Sequence, residues 1–400
     1  MNNNKLAIFG GTPIRNKPIS YGRQCIDNDD INAVVDVLKS DYLTQGPQND
    51  NLVTTLCNSF NSKYAVLSNN GTSALHLACL AADIHEGDEV ITTSLTFAAS
   101  ANCVRYCGGI VKFADINESS LNIDPVLVEK KITQKTKAII AVDFAGRPVE
   151  LKKLKQICNK HNLVLIEDAA HSIGSNYMGN PVGSIADMTV FSFHAVKSVT
   201  GGEGGALLTN TPKYYKQARL YATHGITKSA LSFKSAEDGD WYYEQQVLGF
   251  NYRLTDIQAA LIISQLNKLQ EFKQKRNEIV KKYNHLLSNI CGIKTPQYNV
   301  DDDICWHIYV IRIDEKEFGC NKKQLYEALK AENIITQVHY VPLHLHPYYR
   351  QFGNKKGDCP IAEKVSSNIL SLPLFPLMKD DDVNDVVNAI KKIQNFYKRG

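Results

Sequence analysis

An α/β architecture built on one large, mostly buried sheet is what this sequence predicts, and three observations carry that expectation. Between about residues 60 and 210, short apolar runs rich in Val and Ile alternate with longer stretches of helical periodicity. Glycine, proline or small polar residues punctuate the joins between them, the rhythm of strand and helix in turn. The chain is also long enough to bury a large core: 400 residues, 44% of them hydrophobic, which by length alone suggests roughly two to three domains.

Taken in order, the expected strands are Tyr64 to Ser68, Glu89 to Thr92, Ile110 to Ala114, Lys137 to Val142, Leu163 to Glu167, Met188 to Ser192 and Gly205 to Thr209. Seven such runs make one sheet covered on both faces. From about Ile257 to Ser288 the pattern turns helical, with Ile262, Leu266, Leu269 and Phe272 at three- and four-residue intervals, and reads as one long amphipathic connector. After it, His307 to Ile311 reads as a strand, Lys323 to Glu332 as a helix and Asp381 to Tyr397 as a terminal helix, together a smaller α+β unit. The expected division is therefore residues 1–265, a large domain with the N-terminal segment, and residues 266–400, the connecting helix and small C-terminal domain.

Composition removes several function classes. Lys plus Arg total 45 against 41 for Asp plus Glu, a net charge of +4 spread along the chain, which argues against a dedicated nucleic-acid binder. No apolar run approaches the ~18 residues of a membrane span, and the opening stretch is too short for a signal-peptide core. A cytoplasmic protein with no membrane partner is the expectation. The ten cysteines lack paired CxxC spacing and read as buried thiols rather than a disulfide or zinc framework. His339, His344 and His346 have no Cys or carboxylate at ligand spacing, so no metal is expected. The acidic triplets at 301–303 and 380–382 read as solvated turn or helix-start charges.

Three segments carry residues suited to chemistry. In Asn69 to Ala78 a strand ends, Gly71 permits a tight turn, and Thr72 and Ser73 open an apolar helix. Free N–H groups there can hold a phosphate, although Thr72 or Ser73 serving only as a helix cap explains the same residues. The run Leu163 to Glu167 leads into Asp168, Ala169, Ala170 and His171, placing a carboxylate at a strand's carboxyl end, where open α/β sheets bind ligands; a simple cap is the alternative. Lys197 leaves another apolar run just before the glycine-rich stretch Gly201 to Gly205. Partial desolvation there would lower its pKa and free its amine to attack a carbonyl. The glycines do not form a nucleotide loop, since no GKS or GxGxxG pattern accompanies them. A phosphate cradle, a carboxylate and a lysine are the three groups that pyridoxal 5'-phosphate (PLP) chemistry requires.

In this order and spacing the segments resemble the DegT/DnrJ/EryC1/StrS family of PLP-dependent sugar aminotransferases. The most specific are Ser192 to Lys197 with Gly201 to Gly205, then Gly249 to Ala260, then Val338 to His344. The resemblance covers nearly the whole chain and implies the fold type I, aspartate aminotransferase-like architecture. It also implies that Lys197 is the lysine that bonds to the cofactor, that Asp168 partners its pyridine nitrogen and that His171 lies by its phenolic oxygen. Gly71, Thr72 and Ser192 would bind its phosphate, joined by Asn251 from the second subunit of a homodimer with shared sites, and the Phe97 ring would stack on it. Dehydratases of the family carry histidine at the lysine position, so Lys197 excludes that branch.

The opening from Pro18 to Asp27, with Val34 to Pro47, is similar to the branch that aminates C4 of a UDP-linked 2-acetamido-2,6-dideoxy-4-hexulose on the pseudaminic-acid pathway, with L-glutamate as donor. By that resemblance Tyr21, Leu43, Thr44, His339, Tyr340, Val341 and Pro342 contact the nucleotide-sugar. Two alternatives stand beside it: a 4-aminotransferase for another UDP- or dTDP-4-keto-6-deoxy sugar, bacillosamine- or perosamine-type, and a non-catalytic PLP-binding regulator.

Overall fold

All seven expected strands lie in one sheet of the computed structural model, which describes residues 5–228, 239–299 and 302–399. They are β1 (Tyr64–Ser68), β2 (Glu89–Thr93), β3 (Ile110–Ala114), β4 (Thr136–Val142), β5 (Val164–Asp168), β6 (Met188–Ser192) and β7 (Gly205–Thr209), in spatial order β1-β7-β6-β5-β4-β2-β3. Every neighbour pair is parallel except those of β7, which runs antiparallel to both β1 and β6. The sheet is therefore mixed. Strands β2, β6 and β7 are buried at every position, because helices cover both faces and no residue needs to be polar for water's sake. Burying one such Ile or Leu contributes roughly 1.5–3 kcal/mol.

Topology sets where chemistry can occur. The carboxyl ends of β1, β5 and β6 fall on the same edge of the sheet, and β7 threads back between β1 and β6, so that Ser68 and Ser192 both pair with Gly205. A Cβ on Gly205 would lie 2.4 Å from the Asn70 carbonyl oxygen. Glycine there lets the β1 turn close onto the end of β6, which gives the glycine-rich stretch a packing role. Strand β5 begins one residue later than the sequence suggests and ends on Asp168, which pairs with Val142 and Val190.

The helical connector is two helices, Asp256–Asn267 and Leu269–Leu287, broken at Lys268. The first opens with a capping box, Thr255 and Gln258 bonding each other's backbone N–H. Beyond them, Ile293–Lys294, Tyr309–Ile313 and Ile369–Leu372 form a three-stranded antiparallel sheet, whose two outer strands the periodicity did not reveal. Helices Lys322–Ala331 and Asp380–Arg399 accompany it. The N-terminal stretch, expected with the large domain, runs along these C-terminal elements. Ile19 bridges Ile334, and the buried Glu332 carboxylate accepts from the N–H groups of Ala7 and Ile14 and from Lys392. One apolar cluster joins residues of the large sheet, such as Val90 and Ile140, to Tyr309, Leu370 and Ile390.

No helix among the described residues is long and apolar enough to cross a membrane. Six cysteines are buried, but Cys25, Cys57 and Cys107 are half-buried and Cys291 is exposed, so the expectation of buried thiols holds only in part. Of the acidic triplets, Asp301 lies outside the described residues. Asp302 pairs with Arg147 and Asp303 with the buried Lys273, so these two are ion-paired as well as exposed in part to water, while Asp380 opens the terminal helix.

Candidate active site

Asp168 is buried at the end of β5, its Oδ2 accepting from Ser100 Oγ at 2.7 Å and its Oδ1 from the Ala170 N–H at 3.2 Å. Burial pushes its pKa up, while these donors and the nearby Lys197 ammonium pull it back. Sequence reasoning missed Ser100. It lies on the helix Ala99–Tyr106 and also bonds Thr96 at 2.8 Å; the signal was the run of small hydroxyl residues flanking Phe97. The same stretch leaves Phe97 61% exposed, an open aromatic face of the kind a flat ring stacks on.

Lys197 follows β6 in a turn that its own N–H closes on the His194 carbonyl. Desolvation lowers its pKa to about 8, opposed by Asp168. A minor but accessible fraction of the amine is therefore neutral near pH 7, as nucleophilic and proton-transfer roles require.

At the β1 edge, the helix Gly71–Ala81 is capped by Asn70, whose Oδ1 takes the Ser73 N–H at 2.8 Å and the Ser73 hydroxyl at 3.0 Å. The cap is thus neither Thr72 nor Ser73. Thr72 is spared that duty, and the first N–H groups of the helix point at its N-terminus as an anion site. A Cβ on Gly71 would meet Ser192 Cβ at 2.8 Å and Oγ at 3.1 Å, so glycine alone leaves room between the helix start and the end of β6. Gly71, Thr72 and Ser192 are brought together as the sequence suggests.

His171 is buried three residues past the end of β5, and its Nε2 lies 3.2 Å from the Tyr340 hydroxyl. Burial, with the charge of Lys197, holds it well below the ordinary histidine range, so the ring is neutral. Its Nδ1 has no partner among the described residues. His307, also missed, backs the ring at a centroid distance of 4.4 Å; the buried Arg276 donates to the carbonyls of Trp306, His307 and Leu374 and holds that segment in place. The buried carboxyls Asp143 and Glu167 were missed as well.

The substrate candidates divide. Tyr21 lies 5.5 Å from the His339 ring, and His339 lies 4.9 Å from that of Tyr340, so these three form one wall beside His171. His339 bonds Ser371 at 2.8 Å, and burial and Lys197 lower its pKa to about 4. Val341 is exposed and Pro342 buried at the end of that wall. Leu43 and Thr44 are held elsewhere: Thr44 bridges Thr255, and the Leu43 carbonyl accepts from Asp256 N. The buried Asp256 carboxylate also binds Gly46 N, Gln48 N and Asn49, fixing the loop. Asn251 is likewise exposed, bridging Thr223, on a segment whose Tyr252 carbonyl accepts from Asn69 N beside the Gly71 cradle. Within one chain these three do not join the wall. The three histidines go separate ways, His344 to Glu363 and His346 to the Val341 carbonyl.

The residues fit PLP. The hollow at Gly71, the unpartnered His171 Nδ1, the hydrogen-bonded carboxylate of Asp168, the desolvated Lys197 and the open Phe97 ring match the cofactor's phosphate, polar edge, ring nitrogen, aldehyde and face.

A sequence profile of the DegT/DnrJ/EryC1/StrS aminotransferase family matches residues 24–391. The spore coat polysaccharide biosynthesis protein SpsC of Bacillus subtilis is 39% identical over 381 residues, 95% of this chain and 98% of that protein. Among solved structures, Helicobacter pylori PseC, an aminotransferase involved in the biosynthesis of pseudoaminic acid, superposes with a TM-score of 0.88 at 33% identity, covering 95% of this chain and 100% of that one. Spr1654 from Streptococcus pneumoniae in its PMP form gives a TM-score of 0.88 at 30% identity, covering 95% and 100%; its PLP form has also been solved.

Proposed function

The chain belongs to the DegT/DnrJ/EryC1/StrS aminotransferase family and is a PLP-dependent sugar aminotransferase, and from that premise we propose that it moves an amino group from L-glutamate to C4 of UDP-2-acetamido-2,6-dideoxy-β-L-arabino-hex-4-ulose. The product is UDP-4-amino-4,6-dideoxy-N-acetyl-β-L-altrosamine, a step of pseudaminic acid biosynthesis. The observation that carries this reading is the wall of Tyr21, His339 and Tyr340 beside His171, formed by residues of the resemblance-derived substrate set. Likeness to PseC supports the choice of sugar.

When bound, PLP supplies an aldehyde that receives the amino group and a ring that takes up electrons from the carbon losing its proton. The protein's residues do the rest. Lys197, partly neutral at working pH, holds the cofactor and carries the proton to and from the substrate carbon. Asp168 presents negative charge at the ring nitrogen, with Ser100 and Ala170 N–H fixing its two oxygens. His171 stays neutral, its Nε2 facing the Tyr340 hydroxyl and its buried Nδ1 without a partner among the described residues, and would lie at the cofactor's polar edge. Gly71, Thr72 and Ser192 take the phosphate. The nucleotide diphosphate serves as a remote charged handle whose binding positions C4. Asn251, Leu43 and Thr44, exposed away from their own chain's wall, act in the partner's site of a homodimer.

The test is incubation of the holoenzyme with L-glutamate and each 4-keto epimer of the UDP-sugar, with products identified by mass and NMR. The β-L-arabino epimer is expected to show the higher kcat/KM. A second reading, in which the substrate is another nucleotide-linked 4-keto-6-deoxy sugar, draws on the higher identity to SpsC. A higher kcat/KM for the α-D-xylo epimer, or turnover only of a dTDP-sugar, replaces the first reading with the second.

A further inference from the structure

Beneath Asp168, on the other face of β5, lies an acid pair that the transamination roles above leave unused. The β4–β5 register sets Ala141 opposite Glu167 and Val142 opposite Asp168. Alternation along a strand sends Glu167 and Asp168 to opposite faces and puts Asp143, two residues past Ala141, on the face of Glu167. Both are fully buried. Thr189 Oγ1 on β6 donates to Glu167 Oε2 at 2.8 Å, but Oε1 has no hydrogen-bond partner among the described residues. Asp143 accepts from Val149 N at 2.9 Å and from Ser172 Oγ at 2.5 Å, and its carboxyl faces that of Glu167.

Two bare carboxylates can only accept hydrogen bonds, and in a water-free interior they repel strongly. A proton on one of them removes the repulsion and gives the unpartnered oxygen a donor. We propose that Asp143 and Glu167 share a single proton and, as a pair carrying one negative charge, position Asp168 and His171. Burial pushes both acids upward, Glu167 to about 7, and a neighbouring carboxylate raises each as well. The groups facing the pair are Thr189, Val149 N, Ser172, the Gly183 N–H and, through the strand, Asp168, itself opposed by Lys197.

The positioning follows from the bonds. Asp143 N donates to the Asp168 carbonyl at 3.1 Å, and Ser172, tied to the Asp143 side chain, adjoins His171. The first, a main-chain bond, joins the segment that carries Asp143 to the end of β5, and the second, made by the Asp143 carboxyl itself, fixes the turn carrying His171. Charge matters too: a doubly ionised pair would favour protonation of Asp168 and remove the charge that the cofactor's ring nitrogen needs. This functional half rests on the roles given to Asp168 and His171; the shared proton does not.

Infrared spectroscopy of the holoenzyme reads the proton directly. The wild-type protein should show, near neutral pH, the carbonyl stretch of a protonated carboxyl above the amide band, shifted by D2O and absent from both Asp143→Asn and Glu167→Gln. Absence of the band from the wild type, or its survival in either variant, overturns the shared proton. Asp143→Asn mimics the protonated acid: its amide can donate to Glu167 and to Ser172 Oγ, whose hydroxyl then turns to the Ala169 carbonyl 3.5 Å away. Asp143→Ala is expected to lose activity tenfold or more and to shift the pH profile of the cofactor's visible absorbance, and Asp143→Asn to restore both. If the infrared result holds but the Asn variant is as impaired as the Ala variant, the positioning role fails and the proton stands.

Discussion

Replacing Ser100 by Ala removes one oxygen from a residue whose backbone and packing need not change, and so isolates a single bond. That bond is the 2.7 Å donation to Asp168 Oδ2; the remaining donor, Ala170 N–H, is longer at 3.2 Å and serves the other oxygen. A hydrogen bond to a charged group contributes about 1.5–3 kcal/mol. At about 1.4 kcal/mol per factor of ten, that corresponds to roughly a ten- to hundredfold loss if the bond is needed most in the reacting state. Ser100 is also among the groups that hold the Asp168 pKa down against burial, so its removal moves that pKa upward and the acid limb of the rate profile should shift to higher pH. Thr96→Ala, which loses only the 2.8 Å contact to Ser100, should cost less than tenfold. The assay is single-turnover absorbance with L-glutamate as a function of pH. A Ser100→Ala enzyme within twofold of wild type, with an unmoved acid limb, would refute the claim that Ser100 keeps Asp168 charged.

Lys197→Ala should abolish turnover and the visible absorbance of lysine-bound cofactor while leaving the circular dichroism spectrum intact; turnover without added amine would remove Lys197 from its role. Mixing inactive Lys197→Ala with Asn251→Ala subunits should recover part of the activity, since one site of each mixed dimer then carries neither lesion. No recovery despite demonstrated subunit exchange, or an active monomer, counts against a shared site. Buried His339 titrates near 4 instead of 6.5, so as pH falls between those values the unfolded chain binds a proton that the native state does not. Native stability therefore drops on acidification, by on the order of 3 kcal/mol for this residue, and His339→Gln should shrink the difference in urea midpoint between pH 7.5 and pH 5. An equal drop in the variant contradicts this.

How much of this was legible beforehand depended on whether a signal was local. Strands β1 to β7 were readable because a strand in a sheet covered by helices on both faces is mostly apolar, whichever way its neighbours run, and a run such as Ala138 to Val142 has no other use. Asp168 was readable because it ends such a run and Lys197 because it follows one just before the glycine-rich stretch, and a charged residue at either place has to be paid for by function or by a partner. The outer strands of the small sheet were not: Ile293–Lys294 has two residues, too few for a period, and Ile369–Leu372 follows directly on a helix.

The supporting residues were hidden for a different reason. Ser100, Asp143 and His307 acquire their roles only through partners 68, 24 and 136 positions away in the chain, at Asp168, Glu167 and His171. No spacing within one element marks them, and a serine in a helix or an aspartate after a strand has many ordinary explanations. Leu43 and Thr44 show the converse limit. Resemblance assigned them to the substrate, but their own chain ties them to Thr255 and Asp256, away from Tyr21 and His339. Such a position becomes functional only if the site is completed by a second subunit, which is why the Asn251 complementation experiment also bears on the substrate residues: recovery there would place the loop after Leu43, held by the same Asp256, at the edge of the partner's cofactor.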